Sequence, residues 1–277
     1  MIFGGVKCPC GRCMACRVNK KRLWTHRILL ESYCHSSSLF VTLTYNDEHL
    51  PPDLSVHPEE VQKYLKRLRK SLSPKKFRYF LVGEYGDKSW RPHYHLALFG
   101  LGLEDMQAVE DAWQKRGFVH IGDITEKSAG YIAGYATKKM TSDKDERLEG
   151  RHPEFIRMSL KPGLGAGFLP RLLDIYKELG NSGDVPYVLR HGSKILPLGR
   201  YLRKLFRKAL YDDAYIEFLK EETIKEMQVM LNDKLSTSER YFLTQGAQAY
   251  VLEMRLSNEQ MELNMKAKEK VWRNRKL

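Results

Sequence analysis

Hydrophobic and polar positions change period repeatedly between residues 39 and 140. Leu39-Phe-Val-Thr-Leu-Thr-Tyr45 is β-branched and aromatic and predicts a strand. Pro58 to Leu72 carries Val61, Tyr64, Leu65 and Leu68 at helical spacing, with Pro58 suited to a first turn. Phe77-Arg-Tyr-Phe-Leu-Val-Gly-Glu-Tyr85 predicts a second strand that ends in a Gly86-Asp87 turn, and Pro92 to Phe99 a third. Leu103 to Arg116 predicts a helix with Met106, Val109 and Trp113 on one face. Phe118-Val-His-Ile-Gly-Asp123 predicts a fourth strand, and Glu126 to Met140 a last helix. The order β-α-β-β-α-β-α predicts an α+β class: a ferredoxin-like or RRM-like antiparallel sheet, helices on one face, and one added helix.

Around that core the pattern changes. Residues 1–38 form a Cys-rich and basic arm, 39–141 the core, 142–198 a loop and glycine-rich extension, and 199–277 a helical, cationic region. The extension begins in the charged stretch Thr141 to Arg151 and includes Ser159-Leu-Lys-Pro-Gly-Leu-Gly-Ala-Gly167. Its glycines would let backbone N–H groups approach a phosphate. No Gly-x4-Gly-Lys-Ser/Thr pattern exists in the chain, so ATP hydrolysis is not supported.

Charge narrows the partners. The formal net charge is +13, with 47 Lys+Arg against 34 Asp+Glu, which favours a polyanion. Apolar runs fall far short of the roughly 20 residues a membrane span needs, and Met1 to Lys7 lacks the regions of a signal peptide. The expected setting is therefore cytosolic nucleic acid, with no membrane. Arg17, Lys20, Lys21, Arg22 and Arg27, interleaved with Trp24, would track phosphates and stack a base; a solvated amphipathic helix is the alternative. Arg203, Lys204, Arg207, Lys208, Arg273 and Arg275 give the C-terminal region either DNA grip or a capping role.

Five cysteines, an odd number without a signal sequence, argue against a disulfide framework. Cys8, Cys10, Cys13 and Cys16 have the spacing C-x-C-x2-C-x2-C. Thiolates bind Zn²⁺ tetrahedrally, but this spacing is tight for one ion. A structural Zn²⁺, with His26, Cys34 or His35 replacing one ligand, and buried thiols both stay open.

Two segments carry candidate chemistry. Residues two apart on a strand share a face, so His93 and His95 can chelate one ion while Tyr94 points away. Glu84, across the short hairpin from His93, can join them on that face. Two imidazoles and a carboxylate suit Mg²⁺ or Mn²⁺ and leave positions for phosphate oxygens, as a Lewis acid needs. On the last helix, Tyr131 and Tyr135 lie four residues apart on one face, with Lys138 and Lys139 near one turn onward. A phenol of pKa near 10 needs help to attack phosphorus, and a nearby ammonium supplies it. Alone, the histidines read equally well as a solvated face, and the tyrosines as an aromatic pair packed on the sheet. Their conjunction in order favours phosphoryl chemistry.

Phe40-Val-Thr-Leu-Thr-Tyr45 with Leu50-Pro51, Pro92-His-Tyr-His95, Tyr131-Ile-Ala-Gly-Tyr-Ala-Thr-Lys138 and Arg157-Met-Ser-Leu-Lys-Pro-Gly-Leu-Gly-Ala-Gly-Phe168 together carry a resemblance. With Cys10-Gly-Arg-Cys-Met-Ala-Cys-Arg17 it covers roughly residues 8 to 170. The chain resembles the replication initiators of gokushovirus-like Microviridae, within the HUH endonuclease superfamily. That resemblance implies a rolling-circle enzyme of the bacterial host cytoplasm. It would nick single-stranded or locally melted origin DNA through a 5′-phosphotyrosine, circularise the displaced strand, and work with a host helicase and replication machinery. It further implies His93 and His95 as metal ligands with Glu84 as third, Tyr135 with Lys138 as the nucleophile motif, and Tyr131 as a second tyrosine. Arg91 directly precedes the His-Tyr-His segment and joins the candidate DNA contacts. One departure is Gly134, where some relatives carry lysine. Two other classes stay open: an HUH transposase or relaxase, and a non-catalytic RRM-like binder stacking bases on Phe40, Tyr45 and Tyr79.

Overall fold

The computed structural model describes residues 2–3, 6–7, 11, 13–86, 89–135, 145–180, 183–229, 232–233, 259–260, 263–264 and 266–267. In chain order the elements are β1 (Ile2–Phe3), β2 (Val6–Lys7), α1 (Met14–Ser32), β3 (Ser38–Thr44), α2 (Pro58–Ser71), β4 (Arg78–Tyr85) and β5 (Pro92–Phe99). They continue with α3 (Met106–Asp111), β6 (Val119–Asp123), α4 (Glu126–Tyr135), β7 (Phe155–Met158), α5 (Leu169–Glu178), β8 (Val188–His191), β9 (Lys194–Pro197) and α6 (Gly199–Leu210). Two compact units result, Lys20–Phe206 and Met1–Asn19 with Arg207–Leu277. In the second, β1 pairs with β2 and residues 213–229 are helical.

Lys20–Phe206 is built on a five-stranded sheet in the order β6-β3-β5-β4-β7. Every neighbouring pair is antiparallel. From β3 to α4 the observed order is β-α-β-β-α-β-α, as the periodicity predicts. The central strand β5 fixes two faces by alternation. On one, Tyr94, Leu96 and Leu98 pack with Leu39, Val41, Leu43 and Leu81 beneath Val61, Tyr64, Leu65 and Leu68 of α2 and Val109 and Trp113. On the other, Ala97 and Phe99 pack with Phe80 and Val82 beneath Ala129, Ile132 and Ala133 of α4 and Ile28 and Leu29 of α1.

Helices therefore cover both faces, which corrects the expectation of one. The physical reason lies in Leu96-Ala-Leu-Phe99, an unbroken apolar run, because a strand buried on both sides has no polar face to present. Each of these large side chains contributes about 1.5–3 kcal/mol by leaving water.

Three further differences bear on the expected elements. The helix expected over Leu103 to Arg116 is a 3-10 turn, Leu103–Asp105, followed by the six-residue α3. Gln114 and Lys115 adopt positive φ and end it, while Trp113 still reaches the core and donates its Nε1–H to the Thr44 carbonyl at 2.9 Å. The strand β7 is an addition to the expected sheet. It pairs with β4 by setting the Phe155 ring over Gly83, where a Cβ would come within 2.6 Å of that ring. Finally, the extension over 142–198 contains the hairpin β8–β9. It is tied to α1 by His26, whose Nδ1–H donates to the Pro197 carbonyl at 2.8 Å and whose Nε2 meets His191 Nε2 at 2.8 Å.

Candidate active site

The register of β3, β4 and β5 builds the site. Thr44 and Glu84 stand opposite His93, and Thr42 and Val82 opposite His95, so Thr42, Glu84, His93 and His95 share the face that carries α4. His95 is only 4% exposed. Its Nε2 lies 3.0 Å from Glu84 Oε1 and its Nδ1 lies 3.0 Å from Thr42 Oγ1. Its ring stacks on Tyr135 at 4.4 Å between centroids and 5° between planes, and faces Phe40 at 6.3 Å and 9°. Tyr131 meets the same ring edge-on at 5.5 Å.

The tyrosines come from one side of α4, because Ala129, Ile132 and Ala133 turn toward the sheet. The Tyr135 hydroxyl donates to the Tyr131 hydroxyl in a short contact. Tyr131 is 40% exposed, so the pair is reachable from solvent. Gly134 leaves room for α1: a Cβ there would lie 3.5 Å from Lys21 Nζ. The ammonium of Lys21 thus stands beside the tyrosine turn. Lys138 lies outside the described residues.

The donor set suits a divalent cation in its chemistry and, for two members, its spacing. Cis ligands held at about 2.1 Å on an octahedral ion stand about 3 Å apart, which matches the 3.0 Å between His95 Nε2 and Glu84 Oε1. The His93 ring is 6.5 Å from that of His95, and among the described residues no three His, Cys, Asp or Glu side chains are gathered as a ligand cluster.

Residues 38–140, the span of the sheet core and α4, match a family model described as replication-associated protein ORF2. Over 257 residues the chain is 32% identical to the replication-associated protein ORF2 of Spiroplasma virus 4, covering 84% of this chain and 78% of that protein. The chain belongs to this family of phage replication-associated proteins. It is also 28% identical over 271 residues to the replication-associated protein VP4 of Bdellovibrio phage phiMH2K, covering 88% and 82%. A third relative, the replication-associated protein ORF4 of Chlamydia phage 1, is 26% identical over 232 residues, covering 74% of this chain and 55% of that protein. No solved structure matches the chain.

In this replication-associated protein Tyr94 does point away from the histidines. It is fully buried on the opposite face, where its hydroxyl accepts the His57 backbone N–H at 2.9 Å and meets Tyr45 Oη at 3.2 Å. Burial pushes its phenol far above the ordinary range, so it is no nucleophile. The base-stacking platform of Phe40, Tyr45 and Tyr79 is not formed. Phe40 lies on the histidine face, whereas Tyr45 is 4% exposed in the opposite core and Tyr79 packs on that same side beneath Arg69. Odd and even strand positions cannot share a face.

The candidate DNA contacts scatter. Lys20 is exposed, while Arg17 and Lys21 are half-buried. Arg22 donates to the Ile195 carbonyl at 2.6 Å. Trp24 lies 5.2 Å from Phe80 with Arg27 over its ring, so it serves the core more than a free base. Arg91 pairs with Asp47 at 2.7 Å and donates to the Tyr45 carbonyl at 2.9 Å. Of the cysteine cluster, Cys8 and Cys10 lie outside the described residues, Cys13 is exposed and Cys16 half-buried. His26 is engaged by Pro197 and His191 instead of serving as a replacement ligand. No helix among the described residues is long and apolar enough to cross a membrane. Thr42, Phe40 and the exposed His120, whose ring meets Phe40 at 6.2 Å, are site neighbours that sequence reading missed as such.

Proposed function

We propose that the chain is an HUH-type rolling-circle replication initiator that nicks single-stranded or locally melted origin DNA and rejoins the displaced strand. One observation carries the reading: His95, hydrogen-bonded to Glu84, bears the Tyr135 ring on its face with Tyr131 at its edge. The strand order with two α crossovers, a split β-α-β arrangement, supports an HUH or RRM-like nuclease core. The phage relatives favour an initiator over a transposase or relaxase.

His93, His95 and Glu84 would hold Mg²⁺ or Mn²⁺, which supplies Lewis-acid polarisation of the scissile phosphate when bound. The Tyr135 phenol oxygen attacks phosphorus, forming a P–O bond to tyrosine while the P–O3′ bond breaks. The departing O3′ takes a proton and becomes a 3′-OH. The Tyr135 proton leaves along its hydrogen bond to Tyr131 Oη, the first group on its path. Lys21 beside Gly134, with Lys138 further on, would counter the charge gathering on the phosphate. The phosphotyrosine conserves the bond energy, so the 3′-OH of a displaced strand can reverse the step and close a circle. Host helicase and polymerase would use the freed end in between.

The test is a covalent adduct. The protein is incubated with Mn²⁺ and labelled single-stranded oligonucleotides tiling the origin region, then resolved under denaturing conditions. Wild type gives a labelled protein band. Tyr135→Phe lowers it by more than about 100-fold and His93→Ala abolishes it while the fold is kept, and chelation has the same effect as His93→Ala. A Tyr135→Phe protein that labels like wild type sinks the nucleophile assignment.

A further inference from the structure

We propose that Thr42 is a positioning residue that lets His95 exchange tautomers, freeing Nε2 from Glu84 for a divalent cation. The inference rests on the metal reading above and deepens it. A neutral imidazole carries one N–H and one lone pair, and a carboxylate only accepts. With Nε2 at 3.0 Å from Glu84 Oε1, the N–H is on Nε2 and the lone pair is on Nδ1. That lone pair, 3.0 Å from Thr42 Oγ1, takes the threonine O–H. A cation at Nε2 needs the opposite tautomer, with the proton on Nδ1. The Nδ1–H then donates to Thr42 Oγ1. One proton leaves Nε2 to water and one reaches Nδ1 from water, so the imidazole stays neutral.

A hydroxyl suits this position because it rotates to donate or accept without moving its oxygen. A carboxylate or carbonyl at the same place would lock the N–H onto Nδ1, and an ammonium would lock the lone pair there. The alternative of turning the ring about Cβ–Cγ is blocked, since the imidazole lies flat on Tyr135 at 4.4 Å and faces Phe40 on its own sheet surface at 6.3 Å. Thr42 cannot drift either, because it is the direct ladder partner of His95 between β3 and β5. Groups of this kind, behind a ligand, commonly set metal affinity by about 10–100-fold.

The full chain is tested without DNA, by calorimetric titration of metal-free protein with Mn²⁺. Thr42→Val, which keeps the shape and loses the hydroxyl, is expected to weaken binding by about 10–100-fold, whereas Thr42→Ser stays within about threefold of wild type. Histidine ¹⁵N spectra of the wild type are expected to show an Nε2–H tautomer for His95 without metal and an Nδ1–H tautomer with Mg²⁺. Thr42→Val binding as wild type does, or one tautomer in both spectra, overturns the proposal while the metal site stands. A wild type that binds no Mn²⁺ overturns the metal reading and this proposal with it.

Discussion

Replacing Tyr94 by phenylalanine removes a single oxygen from the middle of β5 and separates the two roles this strand plays. The Tyr94 hydroxyl accepts the backbone N–H of His57, the residue that begins α2, and lies 3.2 Å from the Tyr45 hydroxyl. The His57 side chain makes no capping bond to that helix, so the tyrosine oxygen is what satisfies this donor. Truncation leaves a buried N–H unpaired, which costs about 1–3 kcal/mol. The ring itself remains, so no cavity larger than one oxygen forms. Urea denaturation should show that loss, and the DNA adduct should form at the wild-type level, because Tyr94 faces the core opposite His93 and His95. An unchanged urea midpoint would refute the assigned bond. A folded Tyr94→Phe protein that no longer labels DNA would refute the division of faces.

Other outcomes follow from the same geometry. Gly117 has φ 156°, and a Cβ there would press on the Thr44 carbonyl and the backbone of Tyr45 and Asn46, so Gly117→Ala should cost about 3 kcal/mol by urea denaturation. Gly83→Ala should cost about 1–3 kcal/mol by lifting the Phe155 ring off β4, read the same way. Burial, opposed by the Pro197 carbonyl and aided by His191, lowers the His26 pKa from 6.5 to about 4. The folded chain thus binds its proton more weakly than the unfolded chain, and stability is unaffected above about pH 6.5. It falls as pH drops, by about 3 kcal/mol once below pH 4, at about 1.36 kcal/mol per unit. His26→Asn should flatten urea midpoints measured across that window.

Much of the core is legible because its residues are locally consistent. Pro92 to Phe99 is bounded by proline at its start and by Gly100, at φ 91°, just past its end. His93 and His95 follow from period two alone, and Glu84 follows from a hairpin too short to leave doubt about pairing. Thr42 is not legible as a partner of His95, since the pairing of β3 with β5 spans fifty-three residues and no local pattern encodes it. The same reason hides β7, four residues paired to a strand some seventy positions earlier. The second layer of helices is legible in principle, from the apolar run in β5, but the alternating stretches of β3 point to one buried face. Lys21 beside Gly134 has no sequence signature, because α1 meets α4 only through the fold.

The position of β5 between β3 and β4 has a consequence for how this protein tolerates change. Its residues 93 and 95 belong to the chemistry, and 94, 96 and 98 to the core beneath α2. A comprehensive substitution scan of the strand should therefore give a profile that alternates in kind as well as size. Mutants at 93 and 95 will be soluble and inactive, and those at 94, 96 and 98 will be poorly soluble but competent when recovered. Drift that adjusts the metal site can thus proceed without repacking the core, whereas an insertion or deletion of one residue within the strand swaps the two sets and loses both together.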